Sequence, residues 1–274
     1  MQASTIPFVD LSVANMYPNA KKLADSGYRG AFVRVGEGLH SHDPMYIEHV
    51  NRLSAAGLRT GGYHVVAPSS GDPAGQALQA QEWMERVPES LLAGKRLPLA
   101  IDYEPNVFDK RHIDFLAEYL AALSGAVRVV FYASLRVYSN LKDSGFLDIY
   151  QGQWWIAAYP TIHYPSTQSE ELRLAILRHQ DEYKKGMLNN DRKQWAAALT
   201  NLHRDSIALS FRGEIPKPEW NIMLPPNTVA WQWGGNANAS TCPGAVGLMD
   251  QSYFYGWTAG QDGAPEKDWE EWGV

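Results

Sequence analysis

Runs in which apolar residues crowd together or alternate recur along the chain, and between them apolar positions fall three and four apart. The first spacing is that of strands and the second that of amphipathic helices, so the chain reads as a βα-repeat protein of the α/β class. Strands are expected at 6–11, 30–35, 60–66, 97–101, 126–132, 154–158, 228–233 and 245–250. Helices are expected at 19–26, from Asp43-Pro44 to about 56, from Asp72-Pro73 to about 87, and at 110–123. In both Asp-Pro pairs the aspartate is read as N-cap and the proline as the first helical residue, and Gly57 stops the earlier of the two helices. After Tyr159 the alternation breaks. Residues 161–227 read as an insertion holding two polar helices, at 170–185 and 191–203, and the acidic stretch 257–274 as a loose tail. One barrel domain, 1–256, accounts for the rest, since such a barrel needs about 250 residues.

The run Leu97-Pro98-Leu99-Ala100-Ile101 is apolar on both faces, as in parallel sheets covered by helices, and it ends in Asp102-Tyr103-Glu104. With a side-chain period of two, both carboxylates leave the strand on one side, at the C-terminal end where α/β barrels place their chemistry. Two charges at the end of an apolar strand are costly without a use. Asp10 closes the first strand, Glu37 follows the second and Asp250 closes the last, so a closed barrel gathers five acids at one end. Like charges gathered in that way cannot all ionise freely, and at least one pKa should rise. A carboxylic acid held protonated near neutral pH is what a glycosidase uses on a leaving oxygen. Taken singly, Asp10 also suits a cap, Glu37 an ion pair with Arg34, and Asp250 a turn.

Tyr63-His64, Tyr132, Trp154-Trp155, Tyr159 and Trp231-Gln232-Trp233 fall at strand ends as well. Flat rings mixed with hydroxyl, amide and indole donors suit a sugar, whose faces are apolar and whose rim is polar. Alternation turns about half of them away from a barrel lumen, into packing.

Composition narrows the classes. Of 274 residues 45% are hydrophobic and 20% charged, the balance of a globular chain, and ten tryptophans are the one excess. Net charge is −6 with no basic run longer than a pair, which argues against nucleic acid. A single cysteine, Cys242, excludes an internal disulfide framework. No apolar stretch approaches the roughly 20 residues of a membrane span, and residues 1–7 lack the basic and apolar segments of a signal peptide. His40-Ser41-His42-Asp43 is rich in ligand atoms but lacks zinc-site spacing, so it reads as a loop, and no metal or cofactor is expected. There is no G-x-S-x-G elbow and no glycine-rich phosphate loop.

Taken in order, the motifs resemble glycoside hydrolase family 25, the Chalaropsis-type lysozymes or N-acetylmuramidases. They are Phe8-Val-Asp10-Leu-Ser12, Ala31-Phe-Val-Arg34-Val-Gly-Glu37-Gly38, Ala55-Ala-Gly57-Leu58, Gly61-Gly-Tyr63-His64 and Ile101-Asp102-Tyr-Glu104. Further on come Phe131-Tyr132-Ala-Ser134, Trp155-Ile-Ala157-Ala-Tyr159, Trp231-Gln232-Trp233, Pro243-Gly244 and Val246-Gly-Leu-Met-Asp250-Gln-Ser-Tyr-Phe254. The resemblance implies a modified TIM-like barrel with degenerate later βα units. It also implies hydrolysis of the β-1,4 bond between N-acetylmuramic acid and N-acetylglucosamine, with net retention through the substrate's own 2-acetamido group.

By position, Glu104 matches the general acid and Asp102 the residue that orients the acetamido group, while Asp10 and Asp250 match the remaining acids of the cleft. Arg34, Glu37, Tyr63, Tyr132, Trp155, Tyr159, Trp231 and Gln232 form the expected substrate-contacting set. Phe8 departs from the family, which commonly has glycine there, and so does the long 161–227 segment. The expected partner is bacterial peptidoglycan, met by a monomer made in the cytoplasm and released by phage lysis or delivered between bacteria as a toxin. A delivered toxin would have a cognate immunity or delivery protein. Two other readings stand beside this one: a glycan-binding barrel without turnover, which has no need of a protonated acid, and a hydrolase of another N-acetylated glycan such as chitin, which the short Asp-x-Glu disfavours.

Overall fold

Eight strands close into a barrel in the computed structural model, which describes residues 6–157 other than 106, 124 and 126, and beyond them 182, 184, 185, 189, 225, 227–237, 242, 244, 245, 249–254, 269, 271 and 272. The elements run β1 (Ile6–Leu11), α1 (Ala20–Asp25), β2 (Gly30–Glu37), β3 (Ser41–His42), α2 (Tyr46–Ala55), β4 (Arg59–Val65), α3 (Pro73–Glu85) and β5 (Leu99–Asp102). They continue as α4 (Arg111–Ala122), β6 (Val129–Ser134), α5 (Leu135–Asp143), α6 (Phe146–Ile149), β7 (Gln153–Ala157), β8 (Thr228–Ala237) and β9 (Met249–Phe254). Neighbouring strands from β1 to β8 pair in parallel, except that β3 only hairpins onto β2. The barrel closes through β9, which is antiparallel to both β8 and β1.

The helices cover the outside. The buried residues of α2, Tyr46, His49, Val50, Leu53 and Ser54, follow the three- and four-residue spacing that gives a helix one apolar face. Asp72 caps α3 through a bond from the Gly75 amide, and Ser134 caps α5 through one from Val137. One apolar layer lies between strands and helices, containing Val9, Val33, Leu99, Ile101, Phe131 and Trp154, and a second fills the lumen. That second layer includes Phe8, Phe32, Ala100, Trp155 and Phe254.

Several expectations shift. Asp43-Pro44 does not open a helix: α2 begins at Tyr46, and the buried Asp43 carboxylate accepts bonds from the Val13 and Met45 amides and from Arg34 Nε at 2.8, 2.9 and 3.0 Å. Oδ1 keeps the local bond from Met45 while Oδ2 takes the two tertiary donors, and Arg34 thereby pairs with Asp43 rather than Glu37. β2 runs on to Glu37 through a bulge between Arg34 and Gly36. The last strand is Met249–Phe254 rather than 245–250, so Asp250 stands near its start. β8 runs beyond the expected 228–233 to Ala237, with irregularities on both sides of Gly234 in its pairing with β9. The 257–274 stretch is not loose at Trp269 and Trp272, which are buried in the lumen. There the Arg59 guanidinium donates to the carbonyls of both, and Arg128 donates to that of Glu271. Tyr159 and nearly all of 161–227, including the 191–203 helix, lie outside the described residues, although Glu182, Lys184 and Lys185 at the end of the predicted 170–185 helix are helical.

Candidate active site

The C-terminal ends of the parallel strands form one mouth of the barrel, and alternation decides which side chains enter it. On β5, Leu99 and Ile101 face the helices while Ala100 faces the lumen, so Asp102 follows Ala100 inward. Glu104 lies two residues further, past the end of the strand, exposed at the rim. The same period carries Phe8 inward and Asp10 after it, Phe32 and then Arg34, Val130 and then Tyr132. Strand β9 runs the other way, so Asp250 near its start reaches the same mouth and pairs in register with Asp10.

An amide holds this group together. Gln232 on β8 donates through Nε2 to Asp10 Oδ2 at 3.1 Å and to Asp250 Oδ2 at 3.2 Å, and its Oε1 accepts from Tyr132 Oη at 2.6 Å. The two carboxylates fix which end of the amide faces them, because only Nε2 can donate to both at once, and the Tyr132 hydroxyl then donates to the Oε1 that is left. Trp155 stands edge-on to Tyr132, ring centroids 4.8 Å apart, and gives its indole N–H to Ser252 Oγ at 3.1 Å. Asp102 Oδ1 is buried and has no hydrogen-bond partner.

The electrostatics follow from crowding. Burial, then the charges of Glu104, Asp250 and Glu37, raise the Asp102 pKa well above the ordinary carboxylate value, with Arg34 opposing. Asp10 is raised by burial and by Asp250, with the Gln232 bond opposing. Glu104 is raised by the surrounding protein and by Asp250. Tyr63 is pushed up by burial and by Asp10 and Asp102, which makes its hydroxyl a neutral donor. The carboxyls of the site therefore keep their protons to higher pH than isolated carboxylates do.

Most of the expected residues meet here: Asp10, Arg34, Tyr63, Asp102, Glu104, Tyr132, Trp155, Gln232 and Asp250. Glu37 is at the rim, exposed at the end of β2, and reaches the group only through its charge on Asp102. Trp231 is turned the other way. It lies in the layer between strands and helices, because its neighbour Gln232 takes the inward position. Tyr159 lies outside the described residues. Ser252 lies outside the expected set, although it stands two residues after Asp250 and so shares its face. In the histidine-rich segment, His42 packs on Trp83 and Asp43 is engaged with Arg34, and among the described residues no group of three or more His, Cys, Asp or Glu side chains could hold a metal ion. No helix among them is long and apolar enough to cross a membrane.

The chain is similar to solved structures of this architecture. A family 25 glycosyl hydrolase from Bacillus anthracis matches with TM-score 0.57 and 16% identity, over 100% of this chain and 96% of the other. The catalytic domain of an endolysin from bacteriophage P40 of Listeria monocytogenes matches with TM-score 0.57 and 13% identity, over 92% and 94%. A bacterial lysozyme from Streptomyces coelicolor matches with TM-score 0.54 and 16% identity, over 93% and 94%. At these identities the likeness is one of fold. No curated protein matches by sequence. The sequence profile of the glycosyl hydrolases family 25 matches residues 9–186. Since that match covers most of the chain and runs from β1 through β7, the chain belongs to the glycosyl hydrolases family 25.

Proposed function

We propose that this protein is an N-acetylmuramidase that cleaves the β-1,4 bond between N-acetylmuramic acid and N-acetylglucosamine in peptidoglycan. The observation that carries the reading is the pairing of a rim acid, Glu104, whose pKa its surroundings raise, with Asp102, whose buried Oδ1 lacks a partner. Glu104 gives its proton to the glycosidic oxygen as the C1–O bond breaks. The carbonyl oxygen of the 2-acetamido group attacks C1, and its N–H donates to Asp102 Oδ1. That bond favours the ionised form of Asp102 and orients the acetamido group. Water then opens the resulting ring while the Glu104 carboxylate takes its proton, so the anomeric configuration is retained. Asp10 and Asp250, fixed by Gln232, and the Tyr63 ring bind the sugar beside the bond, with Tyr132 and Trp155 packed beneath them.

The biological setting that suits this activity is bacterial wall lysis, by a phage lysin or by a toxin delivered between bacteria with its own immunity protein. The test is digestion of purified peptidoglycan, with the soluble products read by mass spectrometry. Muropeptides ending in reducing N-acetylmuramic acid are expected. Release of nothing by the wild-type protein between pH 4 and 8 (about the range in which a raised carboxylate titrates) would defeat the reading.

A further inference from the structure

Glu104 lies beyond the last paired residue of β5. Asp102 is in register with Val65 and Tyr132, and two further backbone bonds, from the Tyr103 amide to the Tyr132 carbonyl at 3.3 Å and from the Val66 amide to the Asp102 carbonyl at 2.8 Å, end the ladder. Past that point the orientation of Glu104 depends on what holds its neighbour. Tyr103 is fully buried on the helix side of the strand. Its ring stands edge-on to Phe131, with centroids 6.4 Å apart, and to His112, 5.9 Å apart. Its hydroxyl lies 2.6 Å from His112 Nδ1, in the first turn of α4. The helix start is itself fixed. The Asp109 carboxylate accepts from the Arg111 backbone amide and side chain, and the Asp109 carbonyl accepts from the His112 amide. Phe108 packs edge-on against the His112 ring.

We propose that Tyr103 is a positioning residue, and that its hydrogen bond to His112 staples the two ends of the β5–α4 connection so that Glu104 is held at the cleft rim. With its proton on Nε2 the neutral imidazole accepts at Nδ1 from the phenol, and with the proton on Nδ1 it donates to the phenol oxygen, so the staple forms in either tautomer. Joining both ends of a loop limits the conformations open to the acid it carries, and a general acid displaced by about 1 Å can lose up to about 100-fold in rate. The catalytic consequence rests on the muramidase reading above, whereas the staple itself does not.

The experiment compares full-length wild type, Tyr103→Phe, His112→Ala, His112→Asn and the double variant Tyr103→Phe/His112→Ala, by hydrogen–deuterium exchange and by steady-state kinetics on soluble peptidoglycan fragments. Tyr103→Phe should speed exchange in peptides spanning 103–112 and leave the β1–β4 peptides unchanged. It should also lower kcat about tenfold with KM within about twofold. His112→Ala should do the same, the double variant should be no worse than either, and His112→Asn, which keeps an acceptor near the Nδ1 position, should recover most of the loss. Unchanged exchange at 103–112 in Tyr103→Phe overturns the staple, whether or not the protein cleaves peptidoglycan. Faster exchange with wild-type kcat overturns the positioning role. A wild type that cleaves nothing overturns the muramidase reading, and the exchange data then decide the staple alone.

Discussion

At the lower end of the lumen Phe8, Phe32, Phe254, Trp269 and Trp272 pack into a solid aromatic plug, with centroids 4.5 to 6.1 Å apart. At the upper end the same strands present acids, an amide and hydroxyls. The change takes one inward step: Phe8 to Asp10 on β1, Phe32 to Arg34 on β2. The lower end is closed from the far terminus of the chain. Gly30 makes room for it, since a Cβ there would lie 2.6 Å from the Trp269 ring and 2.9 Å from the Arg59 carbonyl. Phe8 is part of that plug. One end gains free energy by burying apolar surface, and the other gives some back by crowding carboxylates. Stability and chemistry are thus separated along one axis, and substitutions at the two ends should have different signatures.

The largest effect should come from the upper end. Glu104→Gln keeps the shape of the acid but removes its proton, and should cut kcat by about 10²- to 10⁴-fold, the range for general acid catalysis, with an unchanged circular dichroism spectrum. If it remains active, another group is the acid. With the wild type, the rate should fall as pH rises through the raised Glu104 pKa, because the acid form is then lost.

The lower end should answer in stability instead. Trp272→Ala removes a fully buried ring stacked on Phe254 at 4.5 Å and its N–H bond to Gln153, and should cost about 3–5 kcal/mol by urea denaturation. The folded fraction should keep its turnover. A variant as stable as wild type would show that the plug packs without holding the barrel.

Asp10→Asn tests the boundary between the two. Its partner in register is Asp250, so neutralising it should raise stability by about 1 kcal/mol at neutral pH while activity falls. A carboxyl with a folded pKa raised above its unfolded value destabilises only where the unfolded chain has lost the proton. The gain from Asp10→Asn should therefore shrink as pH falls and vanish near pH 4 (about the unfolded Asp value). A gain independent of pH would exclude charge crowding as its cause. His64, on the outer side of β4, works in the opposite sense. Burial lowers its pKa to about 4, with Tyr119 Oη against Nδ1 and the Gly38 carbonyl against Nε2. Its contribution to stability is lost as pH falls from about 6.5 toward that value.

The smallest effect belongs to neither end. Lys21→Ala breaks an exposed pair with Asp25 and should change stability by less than about 0.5 kcal/mol, a reference against which the others are read.

Much of this was legible from residue order. Asp102 and Glu104 share a face because strands have a period of two, and the Asp72 cap and Pro73 start of α3 are local chemistry. The misreadings are also physical. Asp43 carries the same local signal as Asp72 and keeps a local bond from the Met45 amide, but Val13 and Arg34 hold its other oxygen and α2 starts only at Tyr46. Asp250 looked like the end of a strand and stands near the start of one. It still reaches the mouth, since β9 runs antiparallel and two reversals cancel. Trp231 and Gln232 are adjacent in sequence, and only pairing register settles which of them faces the lumen.

Local patterning determined that this chain alternates strands and helices, that an apolar strand ends in two acids on one face, and that other acids close other strands. Those facts rest on interactions within a few residues, which the order of side chains specifies. Barrel closure decided that Asp10 and Asp250 meet across an antiparallel pair, that one amide bridges them, and that two tryptophans near the C-terminus seal the opposite end. Each of these sets a residue from the first strands against one more than two hundred positions on, and such contacts exist only once the packed lumen brings their strands together.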